Sequence, residues 1–157
     1  EAAGHAEQVK SLFTAYGLNF ELALTDHEGD GARLAREAIE RGFQIIVAAG
    51  GDGTVNEVVN GLGRSGVPLG ILPLGTVNVF TRELGIPRSL GAAWAVLERG
   101  QARTIDLPLA RFGDSERCFV QLAGVGFDAA ASARAALASP QRARISATAL
   151  ALTTSTL

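Results

Sequence analysis

Methionine is absent from this chain, and cysteine occurs once, at Cys118. A lone cysteine excludes an internal disulfide framework and suits a reducing compartment, so the expected location is cytoplasmic. Long apolar runs are missing too. No stretch reaches about 18 consecutive apolar residues, so no transmembrane segment is expected. The opening EAAGHAEQVK lacks the basic and apolar regions of a signal peptide. Positive charge is not in excess. The formal net charge is −2, which gives no reason to expect nucleic acid as a partner. His5 and His27 stand alone, with no cysteine or carboxylate cluster at ligand spacing, so neither reads as a metal ligand. The missing methionine, with glutamate at position 1, reads as a piece of a longer chain.

What is present is enough for a packed core: 47% of the residues are apolar and 19% charged. Val9, Leu12, Phe13 and Tyr16 recur at helical spacing, and Gly17 stands where that helix would stop. Phe20, Leu22 and Leu24 alternate with Glu21 and Ala23, as in a strand. Asp30 is placed to cap a helix over 31–41, whose outer face pairs Arg33 with Glu37 and Arg36 with Glu40. Gly42 ends it. Residues 44–49 are a short β-branched run, the pattern of a strand buried on both faces. A helix follows with Val55, Val58, Val59 and Leu62 on one face, then a strand over 69–72 and a short helix around Phe80. Ser89 is placed to cap a last helix carrying Leu90, Ala93, Trp94 and Leu97.

Strands alternating with helices through short connections imply a parallel sheet covered by helices. The pattern changes near Gly100. Residues 105–110 and 118–122 alternate on either side of the polar turn GDSER, which reads as an antiparallel hairpin. The division expected is 1–100 for the α/β unit and 101–157 for the start of a β-rich second one. The alanine-rich tail reads as partly helical.

The chemistry concentrates in IIVAAGGDGTVNEVV. Gly50, Gly51, Asp52 and Gly53 lie between a buried strand and a helix start. Ligands of open α/β sheets bind at the carboxyl ends of strands. Helix N-termini offer unpaired N–H groups and a partial positive charge to anions such as phosphate. Glycine lets the backbone approach a ligand with no Cβ in the way. A purely structural reading stands beside this one, because Thr54 and Glu57 have the T-x-x-E spacing of a capping box. No G-x-x-x-x-G-K-[ST] occurs, so a phosphate site here would rely on backbone amides and a metal ion rather than a P-loop lysine. PLGILPLGTVNVFTRELGIP repeats the device at Gly75-Thr76, and two such turns on adjacent strands can face one crevice.

GGDGTVNEVVNGL and PLGILPLGTVNVFTRELGIP, in this order and spacing, resemble the catalytic domain of diacylglycerol kinases and the related bacterial lipid kinases and sphingosine kinases. RTIDL at 103–107 and GVGFDA at 124–129 add weaker matches. The resemblance implies an α/β fold: a parallel sheet with flanking helices, like the N-terminal domain of NAD kinases and diacylglycerol kinases, plus a β-rich second domain. Relatives usually open with a further strand, so the first strand is expected to be missing. It implies an ATP-dependent kinase that phosphorylates a lipid hydroxyl with Mg2+. The implied nucleotide contacts are Gly50, Gly51, Asp52, Gly53, Thr54, Val55 and Asn56, with Thr76 opposite and Thr25 at the end of the preceding strand. Asp52 is the implied catalytic residue, organising magnesium or helping to activate the acceptor hydroxyl, while Asn78 orients the second turn. Metal ligands are not identified, and the fragment alone is expected to be inactive. The implied partner is a lipid at a membrane surface, met peripherally at the inner face, and a homodimer stays open. Many relatives carry aspartate where this chain has Val79, which puts a metal network through that position in doubt. An NAD kinase-like phosphotransferase and a non-catalytic nucleotide-binding module are the alternatives. Arg134, Arg142 and Arg144 form a modest basic patch that reads as solvated surface.

Overall fold

A computed structural model describes residues 2–121, 123, 129–130, 134 and 147–152. Leu122, Phe127, Asp128, Arg142 and Arg144, and with them most of GVGFDA, lie outside the described residues.

Eleven elements follow one another among the described residues. They are α1 (Ala2–Ala15), β1 (Phe20–Thr25), α2 (Asp30–Glu40), β2 (Ile45–Gly50), α3 (Asp52–Leu62), β3 (Leu69–Pro73), α4 (Val79–Glu83), α5 (Leu90–Glu98), β4 (Leu109–Phe112), β5 (Ser115–Cys118) and β6 (Ala147–Leu152). Gly17 and Gly42 end α1 and α2 with φ of +65° and +81°, a left-handed conformation that glycine adopts without strain.

The main sheet has the order β1-β6-β2-β3. β2 and β3 are parallel, with Ala48 opposite Ile71 and Gly50 opposite Pro73. β6 lies antiparallel between β1 and β2, pairing Thr25 with Ala147 and Ala49 with Thr148. The sheet is therefore mixed rather than wholly parallel. Residues 129 and 130, just before the alanine-rich tail, and 134 within it are helical, but the tail's Ala147–Leu152 stretch is a strand. Alanine's helical preference is a weak prior that pairing on both edges overrides. Because β6 opposes both neighbours, β1, β2 and β3 still run the same way, and their carboxyl ends line one rim of the sheet.

Successive β2 residues face opposite layers, which is why this strand reads as continuously apolar. Ile46 and Ala48 pack with Ala35, Val55, Val58 and Phe80 on the α2–α3 side. Val47 and Ala49 pack with Val9, Phe13, Leu72 and Trp94 on the α1–α5 side. Trp94 is buried against Phe13, ring centroids 4.9 Å apart, as its helical spacing implied. Helices α2 and α3 touch closely at Gly61, where a Cβ would stand 2.4 Å from the Ala32 carbonyl oxygen.

The hairpin β4–β5 forms a separate two-stranded sheet, with Phe112 opposite Ser115. It is shifted from the sequence expectation: Ser115, Glu116 and Arg117 are strand residues, and only Gly113 and Asp114 turn. Gly113 has φ +57°, the left-handed first position of a two-residue hairpin loop, and this fixes the register.

Candidate functional site: the rim at the start of α3

Three helices begin at the rim formed by the carboxyl ends of β1, β2 and β3. Each leaves N–H groups without intrahelical acceptors. At α2, the Glu57 carboxylate accepts from Gly29 N–H at 3.1 Å and Gly31 N–H at 3.0 Å. At α4, the Asp52 carboxylate accepts from Val79 N–H at 3.1 Å and Phe80 N–H at 3.2 Å. Both carboxylates belong to α3. The start of α3 itself, at Gly51, has no side-chain cap among the described residues.

These bonds correct two expectations. Thr54 and Glu57 do not form a capping box. The helix begins two residues earlier, at Asp52, and Glu57 turns toward α2 instead. Asp30 is not the cap of α2, because Gly29 holds that position in a left-handed conformation. The Asp30 carboxylate folds back onto the N–H groups of Asp26 and His27, at 3.0 and 2.9 Å, and pairs with Arg33 at 3.0 Å. The Asp26 N–H, then Arg33, then the His27 N–H hold its carboxyl down at about 2. Ser89 occupies the start of α5 but makes no capping bond. Of the two expected pairs on α2, Arg33–Glu37 forms at 2.9 Å, and no Arg36–Glu40 pair is found among the described residues.

The two glycine turns do meet. A Cβ on Gly75 would stand 2.5 Å from the Gly51 Cα and 2.6 Å from Asn78 Oδ1. Here glycine is required by backbone packing on backbone. Asn78 is buried and left-handed (φ +54°); it accepts from Gly75 N–H at 3.1 Å and donates to the Gly75 carbonyl at 2.6 Å. Thr76 is exposed beside this contact, and its carbonyl accepts from Arg88 Nη2 at 3.0 Å. Arg88 thus brings a cation to the second turn. Nothing in its local sequence marks it.

The remaining residues singled out by sequence are spread more widely. Gly50 closes β2 over the Thr54 side chain, whose Oγ1 would lie 2.3 Å from an added Cβ. That hydroxyl is fully buried and has no hydrogen-bond partner among the described residues. Gly53 lies in the first turn of α3. The Val55 side chain belongs to the core, so only its backbone could face a ligand. Asn56 lies one turn below Asp52, its Oδ1 buried without a partner among the described residues. Thr25 is buried at the end of β1 on the same rim, with β6 between it and β2, about 10 Å away at two interstrand spacings.

Asp52 accepts a third bond, from Gln121 Nε2 at 2.6 Å. An ionised carboxylate has about four lone-pair sites, so one direction on Oδ2 stays open. Asp52 therefore does not make the local turn considered for it. It ties together β2's turn, α4 and the segment after β5. Val79, where many relatives have aspartate, presents a 40% exposed side chain beside it.

The sequence profile described as "Diacylglycerol kinase catalytic domain" matches residues 1–110. The chain belongs to that family. Both glycine turns fall inside the matched region. A diacylglycerol kinase of Bacillus subtilis (strain 168) is 43% identical over 126 residues, covering 78% of this chain and 40% of that protein. "Probable lipid kinase YegS" of Escherichia coli O6:K15:H31 is 38% identical over 120 residues, covering 74% and 39%. A solved chain from Bacillus anthracis str. Sterne, provisionally named a diacylglycerol kinase, is 34% identical with TM-score 0.48, covering 53% of this chain and 29% of its own. This diacylglycerol kinase-family chain thus spans about two-fifths of the length of the curated relatives it matches. Among its described residues no helix is long and apolar enough to cross a membrane.

Proposed function

We propose that this chain forms the nucleotide-binding part of an ATP-dependent lipid kinase, which passes the γ-phosphate of ATP to a lipid hydroxyl at a membrane surface. One observation carries the reading. Of the three helix starts on the rim, α2 and α4 are covered by carboxylates from α3, and among the described residues no side-chain bond to the start of α3 is found. The partial positive charge and free N–H groups of that turn suit a phosphate anion. Gly50, Gly51 and Gly53 would present their backbone to it, with Thr54, Val55 and Asn56 following in the same helix. Thr76 and Arg88 would bound the site from the second turn, and Thr25 from the end of β1.

Among the described residues no three His, Cys, Asp or Glu side chains converge as a metal site. Magnesium would therefore arrive with the triphosphate, which suits an ion held by one or two carboxylates plus phosphate oxygens. It would neutralise phosphate charge where no lysine is at hand. The open direction on Asp52 Oδ2 is the protein's contribution there, toward the ion or the acceptor hydroxyl. A boundary near Gly100 belongs to the same proposal, but Ala147–Leu152 pairs with β1 and β2 and so completes the first unit's sheet rather than the second unit.

The test uses the full-length protein. ATP with Mg2+ should raise its melting temperature, and diacylglycerol in mixed micelles should accept phosphate. Asp52→Asn should keep the fold and lower turnover about a hundredfold or more, as loss of a positioned charge at a reacting centre does. Wild-type turnover in that variant would remove Asp52 from the chemistry. Phosphate transfer to NAD and to no lipid would replace the reading.

A further inference from the structure

Asp52, Asn56 and Asn60 stand four residues apart on α3 and so form one stripe along it. The chain from Cys118 to Gln121 runs beside this stripe. At its near end Asn60 and Cys118 exchange two bonds: Asn60 Nδ2 donates to the Cys118 carbonyl at 2.9 Å, and Cys118 N–H donates to Asn60 Oδ1 at 2.8 Å. At its far end Gln121 Nε2 donates to Asp52 Oδ1 at 2.6 Å. The eight helical steps from Asp52 to Asn60 rise about 12 Å, and the chain bends at Val120 and Gln121 as it passes from one end of the stripe to the other. Between them Val120 packs on the α2–α3 core. Asn60 fixes the segment's register, and that register delivers the Gln121 amide to Asp52.

We propose that Gln121 is a positioning residue for Asp52. Its amide fixes the rotation of the carboxylate about the α4 N–H groups, so that the open lone pair of Oδ2 faces the phosphate rim. The segment after the hairpin thereby sets the geometry of a residue in the nucleotide turn, 69 positions earlier. The Val79 and Phe80 N–H groups bond the carboxylate from α4, and Gln121 bonds it from the segment after β5. This rests on the kinase reading given above, but the bond itself can be tested apart from it.

The experiment compares Gln121→Leu, Gln121→Asn, Asp52→Asn and the Leu/Asn double variant in the full-length protein. Gln121→Leu should lower kcat about ten- to hundredfold, the cost of a small misplacement at a reacting centre, with KM for ATP within about twofold. Gln121→Asn, which keeps the amide, should recover part of that loss. Without ligand, Gln121→Leu should lower the melting temperature less in the Asp52→Asn background than in wild type, since contacting residues couple. Additive melting losses together with unchanged kcat in Gln121→Leu would overturn the proposal. Coupled melting with no lipid phosphorylation by the wild type would leave the bond standing and bring down the kinase reading instead.

Discussion

Glu57 and Gly31 lie 26 residues apart, yet the Glu57 carboxylate accepts the Gly31 N–H at 3.0 Å and leaves a Cβ on that glycine no room. The same side chain accepts Gly29 N–H. Glu57 is 5% exposed, and of its two donors Gly31 is buried while Gly29 is exposed. Glu57→Ala strands the buried Gly31 N–H, leaves the Gly29 N–H to water, and should cost about 1–3 kcal/mol. Glu57→Gln keeps one acceptor oxygen and should cost less. The denaturant midpoints of the two variants give the check.

Gly75 and Gly91 separate close packing from backbone freedom. A Cβ on Gly75 would meet the Gly51 backbone, which is held in turn by β2 and α3, so Gly75→Ala must push the two turns apart. It should destabilise by about 1–3 kcal/mol and suppress any melting shift produced by ATP. Gly91 sits in α5 with nothing within 4 Å of an added Cβ. Gly91→Ala should stabilise by up to about 1 kcal/mol and leave the ATP response unchanged. Thermal melts with and without nucleotide separate the two effects.

Asp30 gives the acid limb of the stability curve a definite shape. Its carboxyl lies at about 2 in the folded chain, below the ordinary 3.8. The stabilisation it contributes is fully present above the unfolded value and is lost as pH falls through about 2. Asp30→Asn should therefore be less steeply acid-sensitive than the wild type between about pH 4 and pH 2. Urea midpoints across that window would show it, and parallel curves would assign the acid sensitivity to other groups.

The alternation of strand and helix was legible because hydrophobic period and glycine placement are local signals. Gly17, Gly42 and the apolar run of β2 carry them plainly. The contacts that organise the rim were not legible, because each joins residues far apart in the chain. The T-x-x-E spacing of Thr54 and Glu57 has the form of a local cap. Only the approach of α2 through Gly31 and Gly61 makes a distant pair of N–H groups the nearer target. Asp52 read as a phosphate-side residue or a turn former, and neither reading contained α4 or Gln121. The strand at Ala147–Leu152 was hidden by alanine, whose period fits either element. In the hairpin, SER read as turn chemistry, while Gly113 alone supplied the left-handed residue that sets the register.

Since α3 supplies the carboxylate at the start of α2 and the one at the start of α4, it acts as a common gauge for both. Neither neighbour can tilt on its own without stranding its first amides. A shift that frees one must drag the gauge and disturb the other.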